Sequence, residues 1–158
     1  MIWTNRLRHT LFGVFSVIAL LVFAMGNHAQ AAPTVIDLTQ TGCQFLEPEG
    51  KDHSFQTNAA KDCKAINAKT GSERLSASKP LELKPGSYIF RVTNQNVPYE
   101  LGFYLRGSGL GRLTLPKVSG GGLTTGKTQD YAIDLKEGSY VYSCPLNPTP
   151  DYPIVVKP

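Results

Sequence analysis

The stretch LKEGSYVYSCPLNPTPDYPIVVKP, residues 135–158, decides the fold. Side chains two apart share a face of a strand. Tyr140, Tyr142 and Cys144 therefore point one way, into a core, and Cys144 stands where the strand gives way to a loop. Pro145, Pro148, Pro150 and Pro153 stiffen that loop. Ile154 to Val156 then reads as a closing strand.

Working outward, the same alternation recurs upstream. Thr128 to Leu135 places Tyr131, Ile133 and Leu135 on one face. Ser87 to Thr93 places Tyr88, Phe90 and Val92 on one face, with Ile89 and Arg91 on the other. Tyr99 to Leu105 is a further strand, followed by a Gly-rich stretch that runs to Gly122. Leu81 and Leu83 alternate ahead of a Pro85-Gly86 turn. Thr34 to Leu38 is a first strand and Cys43 to Leu46 a second apolar fragment. Asn58 is placed to cap a short helix that ends before Gly71. Roughly seven strands, with turn signals every 8–12 residues or so, predict an all-β sandwich with a short N-terminal loop and helix insertion.

The first 31 residues read differently. Arg6 and Arg8 precede an apolar run from Leu11 to Met25, and Ala29 and Ala31 follow in small-x-small spacing. This is the pattern of a secretory signal peptide cleaved after Ala31. The run is short for a membrane span of about 20 residues. The expected mature chain is a single domain, residues 32–158, periplasmic or secreted. Its 14 Lys+Arg stand against 12 Asp+Glu, because Arg6 and Arg8 leave with the leader. A balance of +2, with no basic block, gives no reason to expect nucleic acid. The mature chain keeps His53 alone among the histidines and no methionine.

Cys43, Cys63 and Cys144 are an odd count in an exported chain, where disulfides are permitted. Connectivity is not fixed by sequence. Nearness in one loop-rich segment pairs Cys43 with Cys63 and leaves Cys144 as the free thiol. Glu47, Glu49, Asp52 and His53 crowd one polar segment. They could form an oxygen/nitrogen metal site, but no recognised ligand spacing is present, so a solvated loop is the expectation. Gly121 to Thr128, GGLTTGKT, matches the phosphate-loop pattern letter for letter. That pattern needs a helix after the loop. Here an alternating strand follows, so a nucleotide site is rejected. One histidine and no Ser/His/Asp set argue against an enzyme.

Leu83-Lys84-Pro85-Gly86, then Phe90-Arg91-Val92-Thr93-Asn94, then Gly138 through Cys144 together resemble the cupredoxin family. The likeness spans about residues 80–157. It implies a Greek-key sandwich with a copper site at one end, held by two histidines, a cysteine and usually a methionine. This chain has Tyr99 at the first histidine position, Asn147 at the second, and Asp151-Tyr152 where the methionine would stand. A standard blue copper centre is therefore excluded within one chain. Tyr99-Glu100-Leu101 with Ser143-Cys144-Pro145-Leu146 is more similar to the cupredoxin-like domain of EfeO-type proteins, periplasmic components of a ferrous-iron uptake system. Carried over by position, that likeness implies Glu100 and Cys144 as ligands of one copper or iron ion, with Asn147 and Tyr99 as subsidiary candidates. The partner it implies is an exported metal-handling protein.

Three functions stay open on this reading. The first is metal binding or metal handling through Glu100 and Cys144. The second is a metal-free protein-interaction module on a cupredoxin scaffold. The third is an electron carrier with an atypical copper site. Among the tyrosines, Tyr140 and Tyr142 are expected in the core, and Tyr152 is the expected surface contact.

Overall fold

A computed structural model describes residues 31–158; the expected leader lies outside the described residues. The strands are β1 (Thr34–Thr41), β2 (Gln44–Phe45), β3 (Leu81–Leu83), β4 (Gly86–Asn94), β5 (Leu101–Gly107), β6 (Val118–Leu123), β7 (Thr128–Leu135), β8 (Gly138–Ser143) and β9 (Tyr152–Val156). Two helices, α1 (Leu46–Glu49) and α2 (Ala60–Ala77), lie between β2 and β3. One sheet runs β2-β1-β4-β7 and the other β3-β9-β8-β5-β6. β1 lies parallel to β4, and β3 parallel to β9; the remaining pairs are antiparallel.

The two inner faces make a β-sandwich core. Alternation puts Tyr88, Phe90 and Val92 of β4 and Tyr131, Ile133 and Leu135 of β7 on one side. Leu101, Phe103 and Leu105 of β5 meet them from the other sheet, with Tyr140, Tyr142 and Cys144 beside them. The Phe103 ring is the hub. Its centroid lies 5.0 Å from Tyr131, 5.6 Å from Phe90 and 6.0 Å from Tyr142. These are offset and tilted contacts, the geometry aromatic rings prefer.

The structure departs from the sequence expectations in three places. The helical insertion is longer than expected: α2 continues through Gly71 to Ala77. Gly71 is buried, and a Cβ there would lie 4.0 Å from Pro150. The glycine thus marks an approach to the final loop and does not end the helix. Nor does Asn58 cap it. Asp62, in the first turn, accepts the backbone N–H groups of Asn58 (2.8 Å) and Ala59 (3.0 Å), a reach-back that satisfies the orphan donors. Apolar residues of α2 gather on no single face. The helix is held instead by covalent and polar ties, described below. Finally, β-strands number nine in the described residues, because β2 and the Gly-rich β6 also pair.

The stretch 121–128 is the end of β6, a turn, and the start of β7. Gly126 sits in the turn at φ 75°, and its N–H reaches the Asn94 carbonyl at 2.7 Å.

Candidate functional site

β8 ends at Ser143 and delivers Cys144 into the core at 1% exposure. Cys144 is the free cysteine. Its Sγ accepts the N–H of Asn147 at 3.2 Å and of Gly102 at 3.3 Å. Burial pushes this thiol up from its ordinary range, while the N–H donors of Gly102, Asn147 and Leu146 pull the other way. Its own N–H is held by the Thr149 hydroxyl at 3.0 Å, which folds the proline loop back on itself.

Asn147 is wholly buried. Its Oδ1 accepts the Cys43 N–H at 3.3 Å and the Tyr99 hydroxyl at 2.9 Å. Its Nδ2 donates to the Thr41 carbonyl at 3.1 Å. Cys63 Sγ lies 2.8 Å from the same Oδ1; a disulfide sulfur carries no proton, so this close contact is not a hydrogen bond. Tyr99 has one proton to give, and Asn147 takes it; Thr57 then donates to the Tyr99 oxygen at 3.2 Å. Residues 99 and 147 thus bond to each other, over the Cys43–Cys63 disulfide. That disulfide is the pairing expected from the sequence.

Glu100 stands on the outer surface. Its Oε1 accepts the Gly122 N–H at 2.7 Å, spanning from the start of β5 to β6. Arg91 and Arg106 make their ion pairs elsewhere. Arg91 pairs with Asp130 at 2.8 Å and Arg106 with Asp151 at 2.7 Å. Of the four residues named as possible ligands, two are therefore bonded to one another. A third is enclosed, and the fourth is exposed and engaged with a backbone amide. Among the described residues, no group of three or more His, Cys, Asp or Glu side chains is placed to hold a metal ion.

The polar segment 47–53 is corrected most. Glu49 is buried, its side chain 2% exposed. Arg74 from α2 grips it with Nε at 2.9 Å and Nη2 at 2.6 Å, the fork-on-carboxylate geometry of a strong ion pair. His53 Nε2 lies 2.8 Å from the other side of the carboxylate. Tyr152 donates its hydroxyl to Oε1. Arg74 also donates to Asn67 (2.6 Å) and to the Cys43 carbonyl (3.0 Å), and stacks over Phe55. Asn67 in turn donates to the Pro148 carbonyl. Glu47 accepts the Thr39 N–H at 2.8 Å and Asp52 that of Ser54 at 2.7 Å. Glu49 with Arg74 is thus a buried cross-link joining α1, α2 and the final loop, while Glu47 and Asp52 stay exposed, as expected of a solvated loop. Tyr152, expected at the surface, is a core residue at one end of it, and burial pushes its phenol far up.

A feature the sequence reading passed over lies on the outer face of the second sheet. A shallow hollow of about 690 Å³ opens between β5, β6 and the proline loop, lined by Gly102, Tyr104, Lys117, Gly121, Pro145 and Leu146. Glycine is required at Gly102: a Cβ would sit 2.6 Å from the Gly120 carbonyl oxygen. Leu146 forms one rim at 43% exposure. The sequence carried a cue in the Gly-rich run ending at Gly122, which strips β6 of side chains. No family model matches the chain, and no curated protein matches it either.

Proposed function

We propose that this chain is an exported, non-catalytic protein of the cupredoxin-like Greek-key type that works as a metal-free interaction module. Its contact face is the hollow beside Leu146. One observation carries the reading. The two positions where that family holds imidazoles are occupied by Tyr99 and Asn147, which are hydrogen-bonded to each other, and Asn147 also accepts the N–H of the disulfide-bonded Cys43. A polar plug stands where a metal would cross-link the sandwich. The parallel pairing of β1 with β4 and of β3 with β9, and a last loop running from Cys144 into β9, support the topology. The hollow offers an apolar rim, a glycine floor and one cation at Lys117, which suits a partner that inserts an apolar side chain.

A second reading has one observation in its favour. Two backbone N–H groups aim at Cys144 Sγ, an arrangement that supports charge on sulfur. On that reading Glu100 and Cys144 are the ligand pair that the family likeness implies.

The test purifies a chain from Ala32 to Pro158 without chelator. The expected result is no bound metal and a Cys144 thiol unreactive until the protein is denatured. A photo-crosslinking residue at Leu146 then captures a protein in exporting cells, and Leu146→Asp abolishes the capture. Stoichiometric copper or iron, lost in Cys144→Ser and weakened in Glu100→Gln, overturns the module and establishes the second reading.

A further inference from the structure

The segment between β5 and β6 carries an apolar knuckle outside the hollow. A 3-10 helix, Gly109–Leu113, forms its tip. Such a helix repeats every three residues, so side chains at i and i+3 eclipse. Leu110 and Leu113 therefore stand side by side. They are 88% and 85% exposed, about twice as open as the other exposed large apolar side chains, Val35 and Leu146. Their exposure is not loose packing. The Ser108 N–H binds the Ser139 carbonyl at 2.9 Å, and the Leu115 N–H binds the Gly111 carbonyl at 2.9 Å. Leu115 lies against Gly111 and Gly138, where a Cβ on either would come within 2.8 Å of it. Leu115 is the residue turned to the body, and its two neighbours are held out.

Charge along this segment is also one-sided. From Leu101 to Gln129 the chain has no Asp or Glu, and it carries Arg106, Arg112, Lys117 and Lys127. Arg106 is paired with Asp151. Arg112 lies between the two leucines in sequence, and Lys117 follows them. Both are exposed, and among the described residues neither makes an ion pair. The knuckle is convex. A protein partner would have to supply a pocket for each leucine, whereas the acyl boundary of a bilayer takes apolar side chains without a preformed cavity. Cations beside them suit anionic headgroups. We infer that Leu110 and Leu113, with Arg112 and Lys117, dock this protein onto an anionic lipid surface. The docking surface shares Lys117 with the hollow, but Leu110, Leu113 and Arg112 lie outside it.

Vesicle flotation of the chain from Ala32 to Pro158 tests it. That span contains both sheets, the disulfide and the whole core. Vesicles of phosphatidylcholine alone are compared with vesicles that also contain phosphatidylglycerol. The expected result is association with the anionic vesicles that falls as salt is raised. Leu110→Asn with Leu113→Asn lowers it at least about tenfold. Arg112→Gln with Lys117→Gln lowers it by about ten- to thirtyfold and removes the preference for phosphatidylglycerol. A charge-matched control, Lys64→Gln with Lys69→Gln on α2, leaves it within about twofold. Each variant is first shown to melt as the parent does. Failure to float with either vesicle overturns the inference, and so does capture of an acidic protein in place of lipid. Equal loss in the α2 control overturns it as well, because that result assigns binding to net charge.

Discussion

Replacing Asn147 with alanine removes the plug at the end of the sandwich in one step. The Cys43 N–H loses its 3.3 Å acceptor, the Tyr99 hydroxyl its 2.9 Å acceptor and the Thr41 carbonyl a 3.1 Å donor. A buried N–H left without a partner costs about 1–3 kcal/mol, and each of the other two lost bonds about 1 kcal/mol, for a total of about 3–5 kcal/mol. For a domain of this size that lowers Tm by about 10–20 °C. Thermal and urea unfolding with the disulfide intact measure it. Tyr99→Phe alone removes one of the same bonds and costs about 1 kcal/mol; the double variant is less than additive by a similar amount, since the two changes share a hydrogen bond. Chelator does not change these numbers if the plug is structural. A loss for Asn147→Ala below about 1 kcal/mol, strict additivity with Tyr99→Phe, or a loss seen only in metal-loaded protein refutes the plug.

Four further outcomes are expected. Reducing the Cys43–Cys63 disulfide, which spans 20 residues, lowers unfolding free energy by about 3 kcal/mol on the chain-entropy account, measured as a shift in urea midpoint. Tyr142→Phe raises stability by about 1 kcal/mol, because its hydroxyl is buried with no hydrogen-bond partner among the described residues; a lower Tm for the variant contradicts this. Arg74→Met leaves the Glu49 carboxylate buried without its cation and costs about 3–5 kcal/mol, whereas Arg91→Met, from a solvent-screened pair, costs far less. Asp62 is held below the usual carboxylate value of 3.8, chiefly by the N–H groups of Asn58 and Ala59. A depressed native pKa contributes stability that is full above 3.8 and is lost as pH falls through the native value. The advantage of the parent over Asp62→Asn is therefore present at neutral pH and disappears in acid, as a pH series of melts will show.

The sandwich was legible because its cause is local. Tyr88, Phe90 and Val92, or Tyr140, Tyr142 and Cys144, share a face by the geometry of consecutive residues, whatever lies across from them. The Cys43–Cys63 pairing was legible for a related reason: a short loop brings the two sulfurs near at low entropic cost. Other readings failed where a distant partner decides. Gly71 has the look of a helix end, yet α2 runs through it to Ala77, held by the Cys43–Cys63 disulfide and the Arg74–Glu49 pair. Tyr152 has the look of a loop contact until β9 forms and Glu49 accepts the hydrogen bond of its hydroxyl.

The alternation, the odd thiol at the end of β8, and the shortage of histidine and methionine were determined by the sequence alone. What Asn147, Glu49 and Arg74 do was decided only in the folded chain. Asn147 bonds Thr41 across 106 residues, Tyr152 bonds Glu49 across 103, and Arg74 meets Glu49 across 25. Polar side chains at such separations have no mutual preference in the open chain, where water serves each of them. Closing the two sheets removes that water and leaves each group the partner that the topology places beside it.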